Sequence, residues 1–228
     1  MEDVRSPSGD RPADLSAGEA RKRGRPPRGT EEQRRGQLLK AAETLFLDQG
    51  FGAASMDAVA KLAGVSKKTI YAFFPTKEDL FEEVMKAHVG AEGRPVPAPH
   101  VADLPALERA LADYLSGLAQ FILGCFAVRL FRVTIAEAER FPKIAETFYR
   151  QGALRSVHEL EDWLAAQVKK GLLKLDDPHE GAVMLTSTII LQPLRAAALR
   201  VAELPSPEVM EARAASVAKM FVRGAAGN

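Results

Sequence analysis

The residues of this 228-residue sequence whose types and spacing best suit a binding reaction lie between positions 55 and 77, where lysine, serine, threonine and tyrosine recur. Lysine ammonium groups and a tyrosine hydroxyl can donate to phosphate oxygens, and lysine and threonine can also contact base edges. We therefore interpret this segment as a surface for double-stranded DNA. Its candidate contact residues are Ser55, Ser66, Lys67, Lys68, Thr69, Tyr71 and Lys77.

Two short predicted helices position these side chains. Ser55 is a suitable cap for a helix over Met56–Leu62, and Ser66 for a second helix over residues 67–74, with a turn at Gly64 between them. Two short helices joined by such a turn are typical of a helix-turn-helix. On a helical wheel, Lys68 and Ala72 point outward, and the inward face has Ile70 and Phe74 packing on Val59, Leu62 and Val65.

Side-chain chemistry suggests a role for each residue on the outer face. Lys67 and Lys77 stand near helix starts, where free N–H groups and the helix dipole also attract anions, so both are predicted to contact phosphates. Tyr71 is predicted to donate its hydroxyl to a phosphate. Lys68 and Thr69 are the candidates for base edges, and hence for sequence preference.

The helices before and after this motif have clear start signals. Thr30 and Gln33 match a capping box, and apolar residues at helical spacing follow until Gly50. Thr76 and Asp79 open a fourth helix.

The segment from Gly50-Phe51 through Ala63-Gly64-Val65-Ser66 and Tyr71 to Lys77-Glu78-Asp79-Leu80 resembles the DNA-binding domain of the tetracycline-repressor-like (TetR) family. The resemblance covers about residues 30–85. It implies that Ser55, Lys67, Lys68, Thr69, Tyr71 and Lys77 occupy operator-contacting positions.

Three residues depart from the family pattern. Ala54 replaces the first of two hydroxyl residues, Lys68 replaces a common glycine and adds a possible contact, and Phe73 replaces a hydrogen-bonding ring. No phosphate role is therefore assigned to Phe73.

Charge is distributed unevenly. Residues 21–77 carry twelve Lys and Arg against five Asp and Glu, a net +7, which leaves the rest of the chain at −6. Residues 1–28 are predicted to form a disordered basic arm, in which Arg23 and Arg25 could enter an A·T-rich minor groove. The alternative is a solvated tail that only adds salt-dependent, non-specific affinity.

The sequence predicts an all-α fold. An N-terminal three-helix helix-turn-helix DNA-binding domain over residues 29–90 precedes a larger C-terminal helical ligand-binding and dimerisation domain over 91–228. Helices are expected over residues 104–123, 126–140, 143–170, from Pro178 onward with a kink at Pro193, and over 208–223.

Residues 130–149 resemble the AefR-like subgroup of C-terminal domains through Leu130-Phe131-Arg132, Ala136-Glu137-Ala138-Glu139-Arg140-Phe141-Pro142 and Phe148-Tyr149. The family resemblance implies an apolar effector cavity, and a dimer interface formed by residues 182–199 and 209–222. The alternative for these two segments is packing within one subunit. For each cavity candidate the alternative is an ordinary core position. These candidates are Phe121, Phe126, Arg129, Phe131, Arg132, Phe148, His158 and Trp163.

Several function classes are disfavoured. The sequence has no Gly-rich phosphate loop, nucleophile elbow or His-Glu-x-x-His motif, and its four histidines lack ligand spacing, so no catalytic residue, metal or cofactor is expected. Its single cysteine, Cys125, is expected to be a buried thiol rather than a redox sensor. With no secretory signal and no apolar run of about 20 residues, we expect a cytoplasmic protein without a membrane partner.

The resulting hypothesis is a homodimeric, sequence-specific repressor that binds a pseudo-palindromic operator and is released by an unidentified small-molecule effector. The alternatives are an architectural DNA-binding protein that uses the basic arm without sensing a ligand, and a helical protein-interaction module that never binds DNA.

Overall fold

The computed structural model describes residues 30–89 and 95–226; the predicted arm, with Arg23 and Arg25, and the side chain of Cys125 lie outside the described part. The all-α prediction is confirmed, since β-type pairing within these ranges is limited to one isolated bridge between Leu173 and Ala226. The helices are α1 (Glu31–Gln49), α2 (Met56–Leu62), α3 (Lys67–Phe73), α4 (Lys77–Val89), α5 (Leu104–Ile122), α6 (Cys125–Glu137), α7 (Pro142–Phe148), a π-helical segment (Tyr149–Leu154), α8 (Arg155–Lys169), α9 (Pro178–Ala198) and α10 (Pro207–Ala225).

Local cap chemistry sets the starts of the first three helices. Thr30 forms the predicted capping box: its hydroxyl accepts the N–H of Gln33 at 3.2 Å, and the Gln33 side chain accepts the N–H of Thr30 at 2.9 Å. Ser55 and Ser66 cap α2 and α3, each accepting an N–H three residues further on at 3.1 Å. These contacts need no distant partner, which is why the sequence alone could predict them.

We call residues 30–89 the head and residues 95–226 the body. In the head, Ile70 and Phe74 anchor α3, since both are buried in one cluster with Val59, while Val65 packs against that cluster. Leu62 was expected in the same cluster, but the structure corrects this prediction, because its side chain is 55% exposed. Leu62 is the last residue of α2 and lies just before the turn, so no further helical turn covers it.

The head does not have a core of its own that is separate from the body. Phe46, Phe51 and Phe81 contact one another with ring centroids 5.4 to 5.8 Å apart. Leu130 of α6 and Ile144 of α7 are buried in the same cluster. Two body helices therefore complete the hydrophobic core of the head.

The second core belongs to the body, where buried residues of α5, α8, α9 and α10 pack together. Trp163 of α8 lies in this core, and its indole N–H donates to the carbonyl oxygen of Ala98 at 2.7 Å. This hydrogen bond satisfies the one polar group of a buried tryptophan. Trp163 is therefore a core residue that fixes the chain entering α5.

The helix predicted over residues 143–170 is divided into α7, the π-helical segment and α8. Gly152 lies within the π-helical segment, and glycine weakens a regular α-helix. A π-helical turn inserts an extra residue and changes which face the following side chains occupy, and such turns are frequent at functional sites. By contrast, α9 continues through Pro193 to Ala198.

None of the described helices alone has the length and apolarity needed to cross a bilayer. The pair Leu104–Ile122 and Phe126–Glu137, which is bent by 64°, meets the requirements for a membrane span in length and composition only.

Candidate nucleic-acid interface and effector cavity

The outward face of α3 is short, polar and cationic. Lys67, Lys68 and Tyr71 are exposed, with Tyr71 at 43%, and Ala72 lies among them. A face of this kind, held rigid by a buried opposite face, suits insertion into a major groove between walls of phosphate.

Two hydroxyl groups at the start of α3 interact with each other. The Ser66 and Thr69 oxygens lie 2.7 Å apart, and the Ser66 oxygen also accepts the backbone N–H of Thr69. Ser55 has the corresponding cap position on α2. Because the cap of α2 uses only an acceptor lone pair, the Ser55 hydroxyl hydrogen remains able to donate to a DNA phosphate. In the Ser66–Thr69 pair one hydroxyl hydrogen bridges the two oxygens and the other remains able to donate.

Lys67 is paired across the motif with Asp57 of α2. The ammonium lies 2.9 Å from the carboxylate, and both side chains are at least 60% exposed. The hydrogen bond to Asp57 and its negative charge raise the pKa of Lys67. Since exposed ion pairs contribute little and are screened by salt, Lys67 can exchange this partner for a phosphate.

Lys77 is a predicted phosphate contact, but in this structure its side chain contacts the backbone of the protein itself. Its ammonium donates to the carbonyl oxygens of Phe51, Gly52 and Ala54 at 2.7, 3.3 and 2.9 Å. Burial lowers the pKa of Lys77, while the nearby Glu78 and Glu137 carboxylates raise it. Three carbonyls occupy its three N–H donors, so in this structure the side chain joins α4 to the α1–α2 turn and is not free for DNA.

A second feature is an apolar cavity of about 370 Å³ in the body, bounded by α5, α6, α7, the π-helical segment, α8 and α9. Phe131 and Phe148 form one wall, with ring centroids 6.0 Å apart. Val183, Ile190 and Leu194 of α9 form another. Of the predicted cavity residues, the structure thus brings Phe131 and Phe148 together here.

Phe121 and Phe126 line a smaller cavity of about 50 Å³ next to the first. The His88 ring of α4 lies 3.7 Å from the Phe126 ring and 5.9 Å from the Phe121 ring, between centroids. Burial lowers the pKa of His88. Phe148 lines both cavities, so the small one continues the large one toward α4.

The other predicted cavity residues lie elsewhere, which corrects the prediction. Arg129 pairs with Asp48 of α1 at 2.6 Å, because its position on α6 turns it toward the head. Arg132 is exposed, and so is His158. Trp163 is in the body core, as described above.

Sequence reasoning missed the polar groups that do line the cavity, Ser187 and His179 among them. His179 Nδ1 lies 2.8 Å from a Glu161 carboxylate oxygen, and this hydrogen bond raises the pKa of His179. Its only sequence signal was the position directly after Asp177-Pro178, which indicates a helix start and no more.

A third feature is an exposed apolar face on α9 and α10. Met184 of α9 is 63% exposed and Met220 of α10 is 68% exposed, both unusual for large apolar side chains. The two helices are cross-linked by Arg213, which donates to the Gln192 side chain at 3.2 Å and to the carbonyl oxygen of Thr188 at 3.1 Å. Leu191, Leu199 and Val209 belong to the same exposed set.

The fold and the exposed face of α3 define a helix-turn-helix DNA-binding protein. Residues 38–84 match the family of bacterial regulatory proteins named tetR, and residues 109–224 match the C-terminal domain of AefR-like transcriptional repressors. The chain therefore belongs to the TetR family and is a DNA-binding transcriptional regulator rather than an enzyme.

Individual relatives agree with this assignment. The transcriptional activator FasR of Mycolicibacterium smegmatis is 47% identical over 73 residues, which is 32% of each protein, so the chain matches only about a third of this curated relative. The flavonoid-responsive regulator FrrA is 32% identical, with a TM-score of 0.73 over 86% of this chain and 98% of FrrA. A TetR family regulator of Pseudomonas syringae is 26% identical, with a TM-score of 0.69 over 86% and 99%.

Proposed function

We propose that the protein is a homodimeric repressor that binds a pseudo-palindromic operator and is released by an apolar small molecule. The observation that carries the DNA-binding part is the outer face of α3. It presents Lys67, Lys68 and Tyr71 to solvent, while the opposite face of the helix is buried. In this proposal Lys67 and Tyr71 bind phosphates, and Lys68 and Thr69 read base edges. Ser55 and Ser66 add phosphate contacts from their cap positions.

The dimer part rests on the exposed face of α9 and α10, since a second copy would remove Met184 and Met220 from water. Members of this family typically act as dimers. A two-fold axis between the subunits would place two α3 helices at half-sites about one DNA turn apart, ~34–36 Å.

The effector part rests on the cavity beside Phe131 and Phe148. Its volume lies within the range of small-molecule sites, and its walls are mostly apolar. The two arginines predicted there, Arg129 and Arg132, are absent from its lining. The histidine that lines the cavity, His179, is already paired with the Glu161 carboxylate. An uncharged, largely apolar effector therefore fits better than an anion, in line with the flavonoid response named for FrrA.

Activation is the second candidate, because FasR is named as an activator. The match to FasR covers only 73 residues, whereas the longer match, residues 109–224, is to the C-terminal domain of transcriptional repressors. Transcription from a template with the operator across the promoter separates the two: added protein should lower the transcript. A rise would identify an activator.

Selection of duplexes from a random library by the full-length protein tests the DNA part. An inverted repeat with turn-spaced half-sites is expected. Binding that is salt-sensitive but shows no enrichment would instead favour the architectural alternative, which uses the basic arm. No binding at all would favour a protein-interaction module.

The dimer is tested by Met184→Glu combined with Met220→Glu, neither of which lines the cavity. Light scattering should show a monomer with weak operator affinity. Ile135→Glu on α6 is the matched control, since Ile135 is 59% exposed and apolar but lies outside the face. If both proteins remain dimers, the interface lies elsewhere.

The effector class is tested by operator release with a panel of flavonoid aglycones and their glycosides. Aglycones should release the operator, whereas the larger polar glycosides should not. Equal release by anionic aromatic acids would contradict an uncharged site.

A further inference from the structure

The Ala136–Pro142 string, whose sequence resembles other C-terminal domains of this type, lies against the head. The backbone N–H of Gly52, in the α1–α2 turn, donates to Glu137 Oε1 at 2.9 Å. Glu137 is the last residue of α6. A carboxylate of the body thus holds the backbone of the DNA-binding domain across 85 positions of sequence.

The Glu137 carboxylate comes close to two glycines of this turn. A Cβ at Gly52 would lie 3.0 and 3.1 Å from the two Glu137 carboxylate oxygens, and 3.2 Å from the Phe141 ring. A Cβ at Gly50 would lie 3.1 Å from Glu137 Oε1, and Gly50 also has a φ of +85° that disfavours other residues. The Gly50-Phe51-Gly52 turn is therefore shaped to receive this carboxylate.

Aromatic contacts reinforce the same joint. The Phe141 ring packs edge-on against the Phe51 ring with centroids 5.0 Å apart. The Lys77 ammonium lies 4.4 Å from the Phe51 centroid and 5.4 Å from that of Phe141, while it donates to the carbonyl of Phe51. We call Phe51, Gly52, Lys77, Glu137 and Phe141 the joint.

The body elements that form the joint also form the cavity wall. Phe131 lies on α6, six residues before Glu137, or about 9 Å along the helix at 1.5 Å per residue. Phe148 ends α7, the helix that Phe141 caps. A displacement of these two rings by an occupant would move Glu137 and Phe141, the two body residues of the joint, since packed helices shift as units.

The ion pairs between head and body are less suited to transmit a movement than the Gly52–Glu137 hydrogen bond is. Arg129–Asp48 at 2.6 Å and Lys143–Asp79 at 3.9 Å involve side chains that are 40 to 58% exposed. Long exposed side chains can keep such pairs while the backbones move, and salt screens them. The Gly52–Glu137 bond instead reaches a backbone N–H and is partly buried.

We propose that Glu137 is the positioning residue through which the occupied cavity changes the orientation of the DNA-binding head. This rests on the proposed function, in that it assumes the cavity beside Phe131 and Phe148 regulates DNA binding. Glu137 is not among the residues that line the cavity, and in this proposal it acts through the α1–α2 turn.

A double-mutant cycle tests the proposal without a known effector. Val183→Trp fills the cavity from α9 and stands in for an occupant. In the wild-type background it should weaken operator affinity about tenfold, within the range of allosteric coupling. With Glu137→Ala the same substitution should change affinity less than about threefold, because the α1–α2 turn is no longer held by the end of α6.

Three further variants separate positioning from general stability. Glu137→Gln keeps an oxygen that can accept the Gly52 N–H, so it should restore the response to Val183→Trp. Gly52→Ala should abolish that response from the opposite side of the contact. If Glu137→Ala fails to fold, Gly52→Ala replaces it as the test of this contact. Arg129→Ala, on the same helix, should retain the full response, and light scattering should confirm an unchanged dimer in each protein.

Glu137→Ala should also widen the range of half-site spacings that the protein accepts, which simple destabilisation would not do. An equal loss of affinity on Val183→Trp in the wild-type and Glu137→Ala backgrounds would overturn the role of Glu137. No loss even in the wild-type background would also overturn it, and would show that the cavity itself does not regulate DNA binding.

Discussion

The ammonium of Lys67 and the carboxylate of Asp57 form an ion pair 2.9 Å long across the helix-turn-helix, on the surface proposed to contact DNA. Both side chains are largely solvated, so the pair adds little to stability. In the free protein it holds a proposed phosphate-binding group beside a negative charge. Asp57 therefore competes with DNA for Lys67.

Asp57→Asn should raise operator affinity several-fold at low salt, because it frees Lys67 and removes a charge that repels phosphate. The gain should shrink as salt screens both effects. Fluorescence anisotropy at several salt concentrations measures this. Asp48→Asn is the matched control, since Asp48 pairs with Arg129 at the far end of α1. An equal gain in both variants would mean that net charge alone is responsible.

Lys77→Met should lower the free energy of unfolding by about 1–3 kcal/mol, because three partly buried carbonyl oxygens lose the donor they share, and an unsatisfied polar group costs about that much. Lys68→Met, at an exposed position, should leave stability within about 0.5 kcal/mol of wild type and weaken DNA binding instead. Urea denaturation and DNA titration of both variants distinguish the roles. A fully stable Lys77→Met protein would contradict the structural role of this lysine.

Tyr71→Phe should weaken binding to all duplexes by a similar factor, since a phosphate contact carries no sequence information. Lys67→Ala should in addition reduce the slope of log affinity against log salt by about one. Lys68→Ala should change the ranking of duplexes. Competition among a small set of operator variants tests all three. A changed ranking with Tyr71→Phe would assign its hydroxyl to a base.

His88 should titrate below the ordinary histidine value, because it is buried against Phe126. The unfolded chain binds a proton near pH 6.5, so stability should fall as the pH drops from about 6.5 to the folded pKa of His88. His88→Phe should lose less stability between pH 7.5 and 5.5 than wild type does.

His179 should behave in the opposite way, because Glu161 raises its pKa. Its contribution is present below about pH 6.5 and is lost as the pH rises through the folded pKa. Histidine NMR titrations distinguish the two groups. A His88 resonance that titrates above about 6.5 would contradict its burial against the aromatic rings.

The sequence by itself determined the features that depend on neighbouring residues. Thr30, Ser55 and Ser66 cap helices through N–H groups three residues away, so the starts of α1, α2 and α3 could be predicted from the chain order. The helical period also turned Ile70 inward and Lys68 outward. The family resemblance followed from the same local pattern.

Only the tertiary structure decided the roles that depend on distant partners. Lys77 could be assigned to phosphate until the turn at Phe51, more than twenty residues earlier in the chain, was seen to take its donors. Arg129 likewise looked like a cavity anchor until α6 placed it beside Asp48. The contact between Glu137 and Gly52 had no sequence signal, because helical periodicity states which face a residue occupies but not which helix or turn will cover that face.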